Sequence, residues 1–587
     1  MNKPFRPEYP RPNFVREPWL NLNGTWDFAF DDGDVGGDER WYEPALPHNP
    51  FDLSIEVPFV YQSRLSGLEE RAFHNVMWYR RMFDLPAGWQ APDQRVLLNF
   101  GAVDYRSAVW LNGHFAGSHE GGHTPFQLDI TPYLADENHL VLRVEDVLTD
   151  LTQPRGKQYW KTASEGIFYT PSSGIWQTVW LECAPALHLT QVRLTPDVAA
   201  QTVSLYCRAS KAVAATAVVE VSFAGAVVAE GEVALVDGVG TAVLSLPAPL
   251  LWSPEAPNCY DVTLRLAAPD QPEDCVQTYF GMRSIAIENG RVTLNGKPYV
   301  MKLVLDQGYF PDGLLTAPSD EALRRDVELA KTMGFNGVRK HQKVEDPRYL
   351  YWADQLGLLV WGEMANGYRF SATAVHRLAA EWQTVIERDY NHPCIVAWVP
   401  VNESWGVPGL RDDPAQTQFL LAMYHLTKAL DATRLVVSND GWEHANTDLC
   451  TIHDYTADAA TIAARYAVLD EAMAYRPAER PIFVAGHAFA HQPILITECG
   501  GIAYRMLGEE EGWGYKNAGS AAELEACYRQ LVHVLLKAPL LQGFCYTQFT
   551  DVEQEINGLL TYDRQPKLPL ATIRAINEGM ELSEPAV

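Results

Sequence analysis

Two apolar runs of strand character each finish on a glutamate: Val399-Pro400-Val401-Asn402-Glu403-Ser404 and Ile494-Leu495-Ile496-Thr497-Glu498-Cys499-Gly500. Two carboxylates at one rim of a common scaffold are the minimal equipment for breaking a glycosidic bond. At a separation of about 5 Å, one attacks the anomeric carbon while the other protonates the departing oxygen, and configuration is retained. A lone glutamate at a strand end is an ordinary solvated rim residue, so this chemistry requires a scaffold that brings the pair together.

From about residue 299 onward, strand-like apolar runs alternate with amphipathic helices, the signature of βα units and a parallel sheet. Eight strands can be counted, at 299–305, 337–340, 358–361, 395–401, 434–438, 449–452, 494–497 and 541–547. The helices carry end signals. Ser319 suits an N-cap, Leu323, Val327 and Ala330 share a face, and Gly334 suits the C-terminal stop. Eight such units predict a (β/α)8 TIM barrel, whose reactive groups sit where strands end. On this count Glu403 ends strand four and Glu498 ends strand seven.

The preceding sequence reads as all-β. Trp26-Asp27-Phe28-Ala29-Phe30 alternates, and Leu140, Leu142 and Val144 share one strand face. Asn112-Gly113, Asn289-Gly290 and Asn295-Gly296 are hairpin turn signals. The expected organisation is multidomain: a jelly-roll β-sandwich over 1–184, an immunoglobulin-like β-sandwich over 185–283, and the barrel over 284–587.

A chain of 587 residues exceeds what one core supports, and a formal charge of −28 argues against nucleic acid or another polyanion. The 17 Trp and 26 Tyr supply flat faces on which sugar rings can stack. The opening Met1-Asn2-Lys3-Pro4-Phe5-Arg6 has no secretion-signal pattern, and no apolar run is long enough to span a bilayer. Nine scattered cysteines form neither a disulfide framework nor a CxxC site. A reduced, cytoplasmic protein without a membrane partner is expected, and homo-oligomerisation is left open.

Several segments carry a family resemblance. Pro18-Trp19-Leu20-Asn21-Leu22-Asn23-Gly24-Thr25-Trp26, Gly101-Ala102-Val103-Asp104-Tyr105, Val109-Trp110-Leu111-Asn112-Gly113 and Ser173-Gly174-Ile175-Trp176 resemble the sugar-binding domain of glycoside hydrolase family two. Asn391-His392-Pro393-Cys394-Ile395 leading to Asn402-Glu403-Ser404 resembles the family's acid/base signature, and Thr497-Glu498-Cys499-Gly500-Gly501 its nucleophile segment. The resemblance implies a retaining exo-β-glycosidase with Glu498 as nucleophile and Glu403 as proton donor and later base. It also implies that Asn402 binds the sugar 2-hydroxyl and that Tyr455, in His453-Asp454-Tyr455, orients the nucleophile. A drier, more negative setting is expected around Glu403, favouring its protonated form.

Other strand ends supply further candidates for binding substrate. Asp306 binds sugar hydroxyls or caps a turn; Arg339 pairs with the nucleophile or holds the rim together; His341 closes the same strand. Trp513 stacks on the sugar or packs its own glycine-rich loop. Tyr546 and Gln548 end strand eight, where the family commonly has a tryptophan.

Departures from the family bear on cofactor and substrate. The stretch Trp361-Gly362-Glu363-Met364-Ala365 lacks the Glu-x-His of the magnesium-dependent β-galactosidases, so no metal or other cofactor is expected. Asn557-Gly558-Leu559 lacks the Asn-x-Lys by which β-glucuronidases read a sugar carboxylate. The expected partner is a small-molecule glycoside or oligosaccharide, first a β-galactoside. A β-galacturonide or β-glucuronide comes second because Arg339-Lys340-His341-Gln342-Lys343 puts local positive charge at the rim, and an arabinoside or mannoside third. The alternative class is a non-catalytic carbohydrate-binding protein, disfavoured by the presence of both carboxylates.

Overall fold

The computed structural model describes residues 5–506 and 511–580. The first four residues of the N-terminal stretch read above lie outside that range. A six-stranded antiparallel sheet runs in the order Leu53–Val57, Gly24–Phe30, Val76–Phe83, Asn138–Glu145, Arg106–Leu111, His114–Glu120. A four-stranded sheet of Phe126–Asp129, Gln94–Phe100, Val179–Pro185 and Trp19–Asn21 faces it. The alternating residues Trp26, Phe28, Leu140, Leu142 and Val144 meet Leu98 and Phe100 in the core between them. Asn112 and Gly113 both adopt positive φ, which fits the type I′ turn joining the last two strands of the larger sheet.

A second sandwich follows, packing a sheet built on Ala215–Phe223, Tyr260–Ala267 and Asp274–Phe280 against Leu189–Asp197, Thr202–Ala209 and Val239–Ser245. One feature departs from the expected division: Val15–Arg16, near the N-terminus, pairs with the Asp274–Phe280 strand of this second sandwich. Arg16 is buried there and bridges Glu182 of the first sandwich to Asp274 of the second. Two further hairpins, with Asn289-Gly290 and Asn295-Gly296 at positive φ, lead into the barrel.

The barrel strands are β1 (Met301–Asp306), β2 (Gly337–Lys340), β3 (Leu359–Glu363), β4 (Ile395–Val399), β5 (Leu435–Val436), β6 (Cys450–His453), β7 (Ile494–Gly500) and β8 (Leu541–Thr547). They pair in parallel in the order β5-β4-β3-β2-β1-β8-β7-β6. Their near-continuous burial is what a parallel sheet covered on both faces demands. The main helices are α1 (Asp320–Thr332), α2 (Pro347–Leu356), α3 (Ala372–Asp389), α4 (Pro414–Leu430), α5 (Ala459–Arg465), α6 (Leu469–Ala474), α7 (Ala521–Lys537) and α8 (Leu570–Asn577). Ser319, Ser371 and Ser520 cap α1, α3 and α7 by accepting the backbone N–H three residues on.

The repeat is not eightfold regular. No helix joins β5 to β6; a polar connection does, in which the Asp448 carboxylate accepts the Val436 N–H at 2.8 Å and the Asp448 N–H donates to Val436 O at 2.9 Å. The helices α5 and α6 both follow β6 instead. This irregular stretch shapes the rim next to strand six.

Candidate active site

Glu403 follows β4 in a turn that two non-glycine residues hold at positive φ, Glu403 at 52° and Ser404 at 61°. Left-handed backbone costs about 1–2 kcal/mol at each such residue, so its neighbours must compensate. They do so with hydrogen bonds. The Glu403 N–H donates to Asp440 O at 2.9 Å, the Ser404 N–H to Asn439 Oδ1 at 2.8 Å, and the Ser404 hydroxyl to Glu443 at 2.7 Å. The turn thereby aims Glu403 across the rim.

Glu498 lies within β7, and the two glutamates converge on His453, the last residue of β6. His453 Nδ1 stands 2.7 Å from Glu403 Oε1 and 3.5 Å from Glu498 Oε2. One oxygen of each glutamate and that nitrogen lie within 4.8 Å of one another. Such a gap suits direct attack by one carboxylate and falls short of the roughly 6.5–9.5 Å spacing of an inverting pair. The far nitrogen of His453, Nε2, is 3.1 Å from Asp440. Burial opposes a charged imidazole, but Glu498, Asp440 and Glu403 prevail and push His453 up to about 10. It is therefore a cation at neutral pH, with its Nδ1–H toward Glu403 and Glu498 and its Nε2–H toward Asp440.

Arg339 is the second organising residue. It is wholly buried, and its guanidinium donates to Glu363 at 2.7 Å, Glu498 at 2.9 Å and Asn402 Oδ1 at 2.6 Å, with Asp440 2.8 Å away. Its planar fork of donors suits four partners at once, which a lysine could not serve. Tyr455 donates to the other oxygen of Glu498 at 2.7 Å, and Tyr515 stacks on Tyr455 at 3.7 Å. Burial alone would raise Glu498, but the cationic His453 and Arg339 hold it down to about 2. It is a carboxylate ready to attack. Asn402 turns its Oδ1 to Arg339 and leaves Nδ2 buried with no protein partner. A donor so placed is free for a ligand hydroxyl.

Several sequence expectations need correction. Glu403 is not in the drier setting: its side chain is 18% exposed against 7% for Glu498. Arg339 pairs with the nucleophile, one of its two expected roles, but is fully buried, so among the substrate-binding candidates it is a positioning residue. Asp306 is buried too, its oxygens held by Lys340 and the Gly308 N–H. His341 is buried between Glu363 at 3.0 Å and Glu498 at 3.9 Å; burial, Lys157 and Arg339 drive it well below the usual histidine range, leaving it neutral. Tyr546 faces the helix layer, edge-on to Tyr528 of α7, because strand alternation sends Thr547 to the site and its neighbour to the opposite side. Gln548 is wholly buried and bonded to Gln307 and Asn557. The Trp513 indole donates to Gly166 O at 2.9 Å, so it straps a loop of the first sandwich to the barrel.

The basic cluster is likewise occupied. Lys340 pairs with Asp306 and Glu345, and Lys343 with Glu345 and two backbone carbonyls. Glu363, at the position compared with the magnesium motif, accepts from Arg339 and twice from Gln342. A separate buried set, Asp354, His392 and Cys394, has metal-ligand proximity, yet Asp354 already accepts from Tyr279 and the Cys394 N–H and sits against His392.

Sequence reasoning passed over His453, Asp440 and Lys157. His453 stands two residues before Tyr455, and strand alternation from β6 would have put both at the rim. The Ser438-Asn439-Asp440 run directly after β5 was a weaker signal for Asp440. Lys157 belongs to a sandwich loop remote in sequence from Trp405 and the barrel residues it approaches.

This fold and this rim define a glycoside hydrolase. Sequence profiles of the glycosyl hydrolases family 2 match in order: the sugar binding domain over residues 20–168, the family's middle domain over 187–283 and the TIM barrel domain over 285–512. The chain belongs to that family. It is 27% identical over 466 residues to the β-glucuronidase of Rattus norvegicus, covering 72% of this chain and 68% of the relative. It is 26% identical over 405 residues to a β-galactosidase of Thermoanaerobacter pseudethanolicus, covering 66% of this chain and 51% of the relative. The solved β-glucuronidase of Bifidobacterium dentium, complexed with coumarin-3-O-glucuronide, superposes with a TM-score of 0.79 at 22% identity over 98% of both chains.

Proposed function

We propose that this glycoside hydrolase is a retaining exo-β-glycosidase that removes a terminal β-linked sugar by double displacement. Glu498 attacks the anomeric carbon while Glu403 protonates the departing glycosidic oxygen, giving a covalent glycosyl ester. Glu403, now a base, takes a proton from water, and the hydroxide equivalent displaces Glu498 with a second inversion. Asn402 Nδ2 donates to the sugar 2-hydroxyl. Tyr455 and Arg339 hold Glu498 in line, and His453 holds Glu403. The observation that carries this reading is the convergence of Glu403 and Glu498 on one nitrogen of His453.

For the sugar itself, a β-uronide is the first reading, supported by the relatives named β-glucuronidase. A β-galactoside is the second, favoured by the absence of Asn-x-Lys at Asn557-Gly558-Leu559 and by a relative of that name.

The test is a panel of 4-nitrophenyl β-D-glycosides (glucuronide, galacturonide and galactoside) followed by NMR of the first-formed anomer. Release of the β-anomer by wild type, with Glu498→Gln inactive, is expected. Initial release of the α-anomer, or equal turnover by wild type and variant, would overturn the reading.

A further inference from the structure

Lys157 is 7% exposed, yet among the described residues its ammonium makes no hydrogen bond or ion pair. Its Nζ lies 4.9 Å from the centre of the Trp405 ring. Glu498 and Glu555 feel its charge but neither pairs with it directly, so its N–H donors remain available to an anion. Partners are not scarce here, because 74 acids face 46 bases along the chain.

Lys157 is also held in place. The N–H groups of Arg155 and Gly156 both donate to Asn366 O, and the Tyr368 hydroxyl donates to Gly156 O at 2.6 Å. Gly156 adopts φ +61°, and a Cβ there would lie 2.0 Å from Gln342 O, so only glycine lets the loop seat this deeply. The Lys157 carbonyl in turn accepts the Tyr169 N–H at 2.9 Å. The sandwich loop is thus clamped between the β2 and β3 loops, and it delivers the cation beside the rim that holds both glutamates. Its field is felt by Glu498, His341 and Glu555, so it stands within electrostatic reach of the nucleophile.

The other cations of this wall are committed: Arg339, Lys340 and Lys343 each have carboxylate partners. Position 559, where a barrel lysine would complete Asn-x-Lys, is Leu559. We infer that Lys157 reads the carboxylate of a terminal hexuronic acid, so that selectivity for an anionic sugar comes from the first sandwich and not from the barrel. This rests on the glycosidase reading above. The Trp405 face beneath Nζ fixes its position while leaving its N–H donors for the carboxylate.

The test combines binding and turnover. In the non-cleaving Glu498→Gln protein, calorimetry with D-glucuronate, D-galacturonate, D-galactose and D-galactose 6-sulfate reads the anion preference directly. A uronate is expected to bind roughly tenfold or more tighter than galactose, and adding Lys157→Gln should erase that difference. In the otherwise wild-type protein, Lys157→Gln should lower the uronide-to-galactoside ratio of kcat/KM by on the order of 10². Lys157→Arg should restore part of it, with thermal melting showing that both variants fold. Equal losses on charged and neutral sugars would overturn the assignment, as would preference for the sulfated sugar over both uronates. Lysine-dependent uronate binding without turnover of any glycoside would sink the hydrolase reading and leave the anion site standing.

Discussion

His453 Nδ1 lies 2.7 Å from Glu403 Oε1, and its charge is the first of those that hold Glu498 down. One side chain thus restrains the position of one carboxylate and the protonation of the other. Removing that charge must let Glu498 rise from about 2 toward its ordinary value of 4.5. In His453→Gln the acidic limb of kcat/KM, followed with an activated aryl glycoside, should move to higher pH. The plateau should fall by on the order of 10² as Glu403 loses its restraint. An acidic limb that stays in place would show that the imidazolium does not act on Glu498.

Glu403→Gln separates proton donation from attack. An alkoxide leaves poorly without a proton, whereas a dinitrophenolate needs little help. The loss in kcat/KM should be about 10³ for an alkyl glycoside and under about tenfold for a 2,4-dinitrophenyl glycoside. A uniform loss across leaving groups would place Glu403 in binding and not in acid catalysis.

Arg339→Lys tests whether the guanidinium fork matters beyond its charge. A lysine brings three donors on a point charge and cannot reach Glu363, Asp440, Glu498 and Asn402 together. Leaving a buried carboxylate unpaired costs about 3–5 kcal/mol, so the melting temperature should fall along with activity. The fall in kcat should exceed any rise in KM, because Arg339 touches the catalytic groups and not the sugar. An isolated rise in KM would contradict that assignment.

How much of this was readable beforehand depends on whether the information was local. Periodicity located all eight strands, and β2 and β8 match the sequence reading at both ends. The type I′ turns at Asn289-Gly290 and Asn295-Gly296 were equally local, since positive φ favours those residues. The irregular β5–β6 connection was not, because its polar side chains satisfy backbone groups across a seam rather than forming a helix face. The basic cluster misled because strand direction was not applied to it. Lys340 sits opposite Asp306 in the β1–β2 ladder and pairs there, while Arg339 beside it turns to Glu498. Lys157 could not be read at all: a lysine in a sandwich loop acquires meaning only when that loop is docked against Asn366 and Gln342.

A second contact between the first sandwich and the barrel, at Gly121–His123, carries a buried acid with a consequence for stability. Glu381 of α3 packs under the Gly121–His123 loop of the first sandwich, accepting the His123 N–H at 3.2 Å through one oxygen and leaving the other without a partner. Burial pushes it up to about 8 from an ordinary 4.5, despite the pull of the His123 amide. For an acid raised in this way the folded state holds a proton that the unfolded chain has already released. Stability therefore falls as pH climbs from 4.5 through about 8 and levels off beyond. Glu381→Gln keeps the shape and cannot ionise, so that loss should vanish. The melting temperature of the variant minus that of wild type should grow across this interval and then hold constant, with on the order of 1 °C for each kcal/mol recovered in a chain of 587 residues. A difference that is flat in pH would mean that Glu381 is already ionised in the folded protein. A difference that shrinks as pH rises would mean that the charged form is the one the sandwich–barrel contact favours.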